Sequence, residues 1–148
     1  MKREEIRRAF RKLAYEEIRV RPEGFEIRDA HYPELVGRVR EVSLTRKRFE
    51  DGSLACLSLD GVHGSEGQLC ETCANPSCHP RLRVELLVEP IVYVLELNVS
   101  SARNFFRIED EAKASGRAIG EWLLELSVVS HGRWAEVHFR RSRSGDTS

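Results

Sequence analysis

Residues 81–98, RLRVELLVEPIVYVLELN, are the stretch on which the reading of the fold turns. The first half alternates: Leu82, Val84, Leu86 and Val88 share one side, Arg81, Arg83 and Glu85 the other, the period of two expected of a strand with one buried face. Glu89-Pro90 interrupts it. The second half, IVYVLELN, is apolar on both sides, which predicts a central strand or one covered by helices.

Downstream, Ser100 or Ser101 is placed to cap a helix through Ala114, with Phe105, Phe106, Ile108 and Ala112 as its buried stripe and Gly116 beyond its end. Residues 120–141, GEWLLELSVVSHGRWAEVHFRR, read as a hairpin turning at His131-Gly132. Trp122, Leu124, Leu126 and Val128 form its inward set. On the return strand Arg133, Ala135, Val137 and Phe139 share a face, and Trp134, Glu136, His138 and Arg140 share the opposite one.

Upstream, LVGRVREVSLTRKRF (35–49) puts Val36, Val42 and Leu44 on one alternating face with Val39 off phase, which predicts a bulge or strong bend. Asp51-Gly52 is a hairpin turn signal, and SLACLSLDG (53–61) is a short strand that carries Cys56. At the N-terminus, Ile6, Phe10, Leu13 and Ile18 predict an amphipathic helix over 2–20, able to cap the domain or to mediate self-association. Pro22 and Gly24 end it, and 22–34 reads as a connector.

The chain of 148 residues is therefore expected to be one mostly β domain with flanking helices. Residues 1–34 form the N-terminal helix and connector, 35–141 an OB-like antiparallel barrel of five to six strands with one helix before the last hairpin, and 142–148 a disordered tail. Closure into a barrel removes exposed strand edges. A helix-covered open sheet fits the same pattern. No apolar run approaches the ~20 residues that cross a bilayer, and no leader or lipidation signal is evident, so a soluble cytoplasmic protein with no membrane partner is expected.

Residues 56–79 form a metal-binding insertion in that barrel. Cys56 stands alone, and Cys70, Cys73 and Cys78 crowd into CETCANPSCH. A Cys-x-x-Cys turn sets two sulfurs on one side of a tight loop, so four thiols suggest one tetrahedral structural zinc site. An iron–sulfur cluster, two disulfides and unligated buried thiols are the alternatives. His63 and His79 are weaker ligand candidates. The excursion 60–80 offers Val62 and Leu69 as its sizeable apolar groups, too few to pack by itself.

Twenty-four Lys and Arg balance twenty-four Asp and Glu, which argues against indiscriminate adhesion to nucleic acid. The distribution is uneven: both ends are basic and the middle is acidic. If 38–48 lies beside the last strand, Arg38, Arg40, Arg46, Lys47, Arg48, Arg133, Arg140, Arg141 and Arg143 make a phosphate-binding face, and Trp134 with His138 and Arg140 supplies aromatic and cationic groups on one strand face. Solvated strand edges are the plainer account of the same charges.

Enzymatic motifs are missing. The zinc deaminase pattern of His-x-Glu before Pro-Cys-x-x-Cys does not occur, nor does a glycine-rich phosphate loop or a His-Glu-x-x-His helix. Four sulfur ligands also leave zinc no open position for water, so no catalytic residue is expected.

The segments CLSLDGVHG, CETC, RLRVELL and PIVYVLELNVSSARNFFRIEDEAKASGRA, in that order, resemble small single-stranded DNA-binding proteins of bacteriophages and mobile elements. The similarity spans residues 35–141 and rests mainly on the cysteine segment. It implies an OB-like barrel, Cys56, Cys70, Cys73 and Cys78 as metal ligands, a turn shaped by Ser58, Asp60 and Gly61, and a role in DNA replication or recombination. Single-stranded DNA or RNA and replication or recombination proteins are the partners expected. The chain departs from the pattern in a shorter Cys73–Cys78 spacing and in its basic N-terminal segment. A protein-interaction module docking through that segment is the rival expectation.

Overall fold

The computed structural model describes residues 2–7, 15–50, 53–58 and 78–143, and excludes the side chains of 46–50, 53–58 and 78–79. Among the described residues nine strands form one curled sheet: β1 (Glu16–Arg21), β2 (Gly24–Ile27), β3 (Ala30–Tyr32), β4 (Glu34–Glu50), β5 (Ser53–Ser58), β6 (Cys78–Val88), β7 (Ile91–Leu97), β8 (Leu124–Ser130) and β9 (Ala135–Arg141). The spatial order is β3-β2-β1-β7-β6-β4-β8-β9, with β5 on β4. The mostly β expectation holds, with more strands than the five or six expected.

Strand β4 organises the sheet. Its first residues pair with β8 (Val36 opposite Glu125) and the remainder with β6 (Val42 opposite Val84). The register shifts between Val39 and Glu41, leaving Arg40 as the extra residue of a bulge. The off-phase Val39 is explained by it, with a correction: Val39, Val42 and Leu44 share a phase, and Val36 lies on the opposite face and is exposed.

The two strands read from 81–98, β6 and β7, form a hairpin joined at a cis Glu89-Pro90 bond, and β7 is central as expected, between β6 and β1. Leu82, Val84 and Leu86 meet Leu95, Leu97, Leu124, Leu126 and Val137 in the core. On the reverse face Arg83 and Glu85 are buried as well, where alternation alone predicts solvent.

Helix α1 (Val99–Ala114) begins one residue after Asn98, whose side chain accepts the Ser101 N–H at 3.0 Å. Asn98 is thus the N-cap in place of Ser100 or Ser101, and the Ser101 hydroxyl accepts the Val137 N–H of β9 at 2.8 Å. The far end closes as a Schellman motif, with Arg117 N–H to Ala112 O and Gly116 N–H to Lys113 O, both at 2.9 Å, and Gly116 at φ 75°. Phe105, Ile108 and Ala112 are buried as expected, and Phe105 meets Phe139 edge-on at 5.6 Å. Phe106 is a correction: it is 46% exposed.

The N-terminal expectation needs the largest correction. Residues 3–7 are helical, 8–14 fall outside the described residues, and 16–21 is strand β1. The sequence EEIRVR alternates, and the step from Leu13 to Ile18 already breaks a helical stripe. Ile18 is buried in the sheet core, since β1 runs parallel to β7 over 16–18 and antiparallel to β2 over 19–21. The stretch 22–34, expected as a connector, supplies β2 and β3 and places Phe25 and Ile27 in the same core. The expected tail starts late: Ser142 is buried and its N–H reaches Leu123 O at 2.8 Å, while 144–148 lie outside the described residues.

Two stability measurements check this packing. Phe105→Ala costs about 3–5 kcal/mol and Phe106→Ala less than about 1 kcal/mol in urea unfolding, although the two residues are adjacent. Gly24 sits at φ 146° with the Tyr32 carbonyl oxygen 2.5 Å from where a Cβ would stand, so Gly24→Ala destabilises by at least about 1–3 kcal/mol.

Candidate nucleic-acid interface and cysteine site

The β8–β9 hairpin turns through residues 131–134, with Gly132 at φ 87° and His131 N–H bonded to Trp134 O at 2.8 Å. That closure lays the His131 ring on Trp134, centroids 4.1 Å apart and planes 19° apart. Trp134 is therefore a loop residue beside β9 and stays 45% exposed. Its indole is pre-oriented before any ligand arrives.

Behind this pair stands Glu136. Its carboxylate accepts from Asn104 Nδ2 of α1 at 2.9 Å, lies 2.7 Å from His138 Nε2 and 3.6 Å from His131 Nε2. The Asn104 hydrogen bond first, and then the two imidazoles, hold the Glu136 carboxyl below the usual carboxylate range. His138 is thereby tied down. Arg140 is tied down too: it faces Glu125 across the ladder, donates to it through Nε at 2.9 Å and through Nη2, and the bond depresses the Glu125 carboxyl. Sequence reading put Trp134, His138 and Arg140 on one strand face as a binding set. In the structure His138 and Arg140 already have carboxylate partners, and the indole remains open.

The expected convergence of 38–48 on the last strand does not occur, because β8 lies between β4 and β9. Arg38 donates to the Glu121 carbonyl at 2.6 Å, and Arg40 is the exposed residue of the bulge. The backbone of Arg46, Lys47 and Arg48 runs opposite Pro80, His79 and Cys78, at the end of the sheet where Arg81 sits. Their side chains are outside the description.

A different grouping emerges between β1 and β9, where no ladder joins the two strands among the described residues. A cleft of about 460 Å³ opens there, lined by Arg19 and Arg21 of β1, Arg81 of β6, Glu96 of β7, Asn98 and Trp134. Arg19 and Arg21 share Glu26 at 3.9 and 3.7 Å, and Arg81 donates to the Pro80 carbonyl at 3.2 Å. Deeper on the same sheet face Arg83 is buried. Desolvation lowers its pKa against the pull of Glu85, Glu96, Glu17 and Glu41. The face thus grades from basic at the cleft lip to acidic inside. Sequence reading missed Arg19, Arg21, Arg81 and His131 as members of one site. For Arg19 and Arg21 the signal was the alternation of 16–21, hidden by the helical assignment.

Of the four thiols, Cys70 and Cys73 lie outside the described residues. Cys56 and Cys78 have described backbones, and both pair with Arg48, one from each side of β4. They occupy one rung, two strand spacings or roughly 10 Å apart. A register shift between Arg48 and Phe49 leaves Ala55 as an extra residue beside Cys56, a bend at the strand end.

No helix among the described residues is long and apolar enough to cross a membrane. Comparison of the chain with protein-family models, with curated proteins and with solved structures gave no match.

The Glu136 cluster has a pH signature. A carboxylate whose folded pKa is depressed contributes stability above its unfolded value, 4.5, and loses it as pH falls through the folded one. Glu136→Gln therefore flattens the decline of unfolding free energy below about pH 4.5 relative to wild type. An unchanged acid slope in urea titrations would show that the cluster is not coupled to folding.

Proposed function

We propose that this chain is a non-enzymatic binder of single-stranded nucleic acid, with DNA as the first candidate, built on an OB-type barrel that carries a structural metal knuckle. The observation that carries the reading is the strand order β7-β6-β4-β8-β9, with α1 between β7 and β8. A three-strand meander whose first strand also pairs with a later hairpin is the five-strand OB arrangement. In such barrels the face of the second and third strands and the loops after the first and fourth bind oligonucleotides. Here those strands are β6 and β7. The first loop is the connection containing the cysteines, and the other is the turn bearing Trp134.

The chain departs from that plan at the closing seam. β1 occupies the edge of β7 against which the fifth strand would otherwise close. The barrel is therefore extended by the hairpin strands β1 and β2, with Phe25 as a plug in the core.

The thiols Cys56, Cys70, Cys73 and Cys78 suit one zinc ion, with an iron–sulfur cluster as the lesser candidate. Excursion 59–77 leaves from β5 and returns to β6 beside the rung that holds Cys56 and Cys78. An ion shared by all four sulfurs draws those strand ends inward, a movement the Ala55 bulge favours. Such a site, closed by four sulfurs, holds a loop and leaves no position for substrate.

The N-terminal segment remains a candidate dock for replication or recombination proteins or for a second copy, since Ile6 is 42% exposed. Truncation at residue 14 tests that role cleanly. Truncation at residue 20 removes β1.

Binding is tested by fluorescence anisotropy with a labelled oligonucleotide of about ten or more bases, within reach of one barrel. Expected is saturable binding whose log affinity falls linearly with log salt. No binding at low salt would remove the function. Elemental analysis of purified protein should find about one zinc per chain, and Cys73→Ser should lower it and raise proteolysis of the excursion. A brown protein absorbing near about 400 nm would replace zinc by a cluster.

A further inference from the structure

The cleft between β1 and β9 brings together an exposed aromatic side chain and guanidinium groups held by long, solvated ion pairs. Trp134 lines the cleft, is 45% exposed, and has one indole face covered by His131 at 4.1 Å. Arg19 and Arg21 reach Glu26 at 3.9 and 3.7 Å, and their side chains are 63% and 45% exposed. Ion pairs that long and that solvated are weak and exchange readily for another anion. Arg140, by contrast, is locked to Glu125.

We propose that the oligonucleotide enters this cleft, with one unpaired base stacked on Trp134 and the flanking phosphates held by Arg19, Arg21 and Arg81. The inference rests on the single-strand binding proposed above and gives it an address. Strand β1, an addition to the five-strand plan, becomes one wall of the site. Glu17 and Glu96, further in, repel phosphate and keep the sugar-phosphate backbone at the arginine lip. The cleft lies at the end of the sheet where β6 meets the backbone of Arg46, Lys47 and Arg48 in register.

The test compares variants by anisotropy on a labelled oligothymidylate. Stacking contributes enough per base that Trp134→Ala weakens binding by about tenfold to a hundredfold, while Trp134→Phe keeps most of it. Arg19→Ala with Arg21→Ala makes the dependence of log affinity on log salt shallower by about 1.4, at ~0.7 per phosphate on single strands. Arg103→Ala with Arg107→Ala removes equal charge from the exposed face of α1 and leaves that slope unchanged. Two results overturn the proposal while wild-type binding persists. One is full affinity in Trp134→Ala. The other is an equal slope change in both arginine pairs, which would mean diffuse attraction. Absence of binding by the wild type overturns the function itself and is read separately.

Discussion

A single extra residue, Arg40, determines the architecture. Strict alternation carried through from Val39, with no bulge to absorb Arg40, would turn Glu41 inward and Val42 and Leu44 outward. The bulge turns the strand and resets its phase, so Leu35 and Val39 before it and Val42 after it all reach the same core. One strand thereby serves two neighbours in succession, and the sheet curls around its own apolar face. Gly37, two residues earlier, fits the same constraint: a Cβ there would lie 2.7 Å from the Leu87 carbonyl oxygen.

The second device is at β9, whose outer edge has no ladder partner among the described residues. Helix α1 supplies what a neighbouring strand would. Asn98 donates to the Ala135 carbonyl at 2.9 Å, Ser101 accepts the Val137 N–H at 2.8 Å, and Asn104 donates to the Val137 carbonyl at 3.0 Å. Spaced three apart, these residues fall on one helical face, so a strand edge that would invite another chain is satisfied from within. The same Asn104 also holds Glu136, which links the helix to the rings of the hairpin turn.

How far the sequence could be read follows from where each signal resides. β6, β7, β8 and β9 are written locally in alternation and turn residues, and α1 in its apolar spacing and Gly116. The bulge was visible in the off-phase Val39, although not which residues it would realign. β1 was not visible, because its partner β7 lies far along the chain and its six residues follow a charged stretch whose apolar spacing reads as helical. Trp134 could be picked out as a candidate platform from the hairpin. The neutralised state of Arg140 required the ladder: only the register placing Glu125 opposite it shows that its charge is spent. The basic groups at the cleft were missed for the reason β1 was missed.

That distant pairing bears on how the chain is made. Glu16 meets Tyr93 and Ile18 meets Leu95, so β1 leaves the ribosome well before the strand it pairs with, β7. Loop closure across that span carries an entropic cost that the ladder on β7 and the burial of Ile18 must offset. In the interval the nascent β1–β2 hairpin exposes Ile18 and Phe25, an apolar edge open to chaperones or to the same strand of a neighbouring polypeptide.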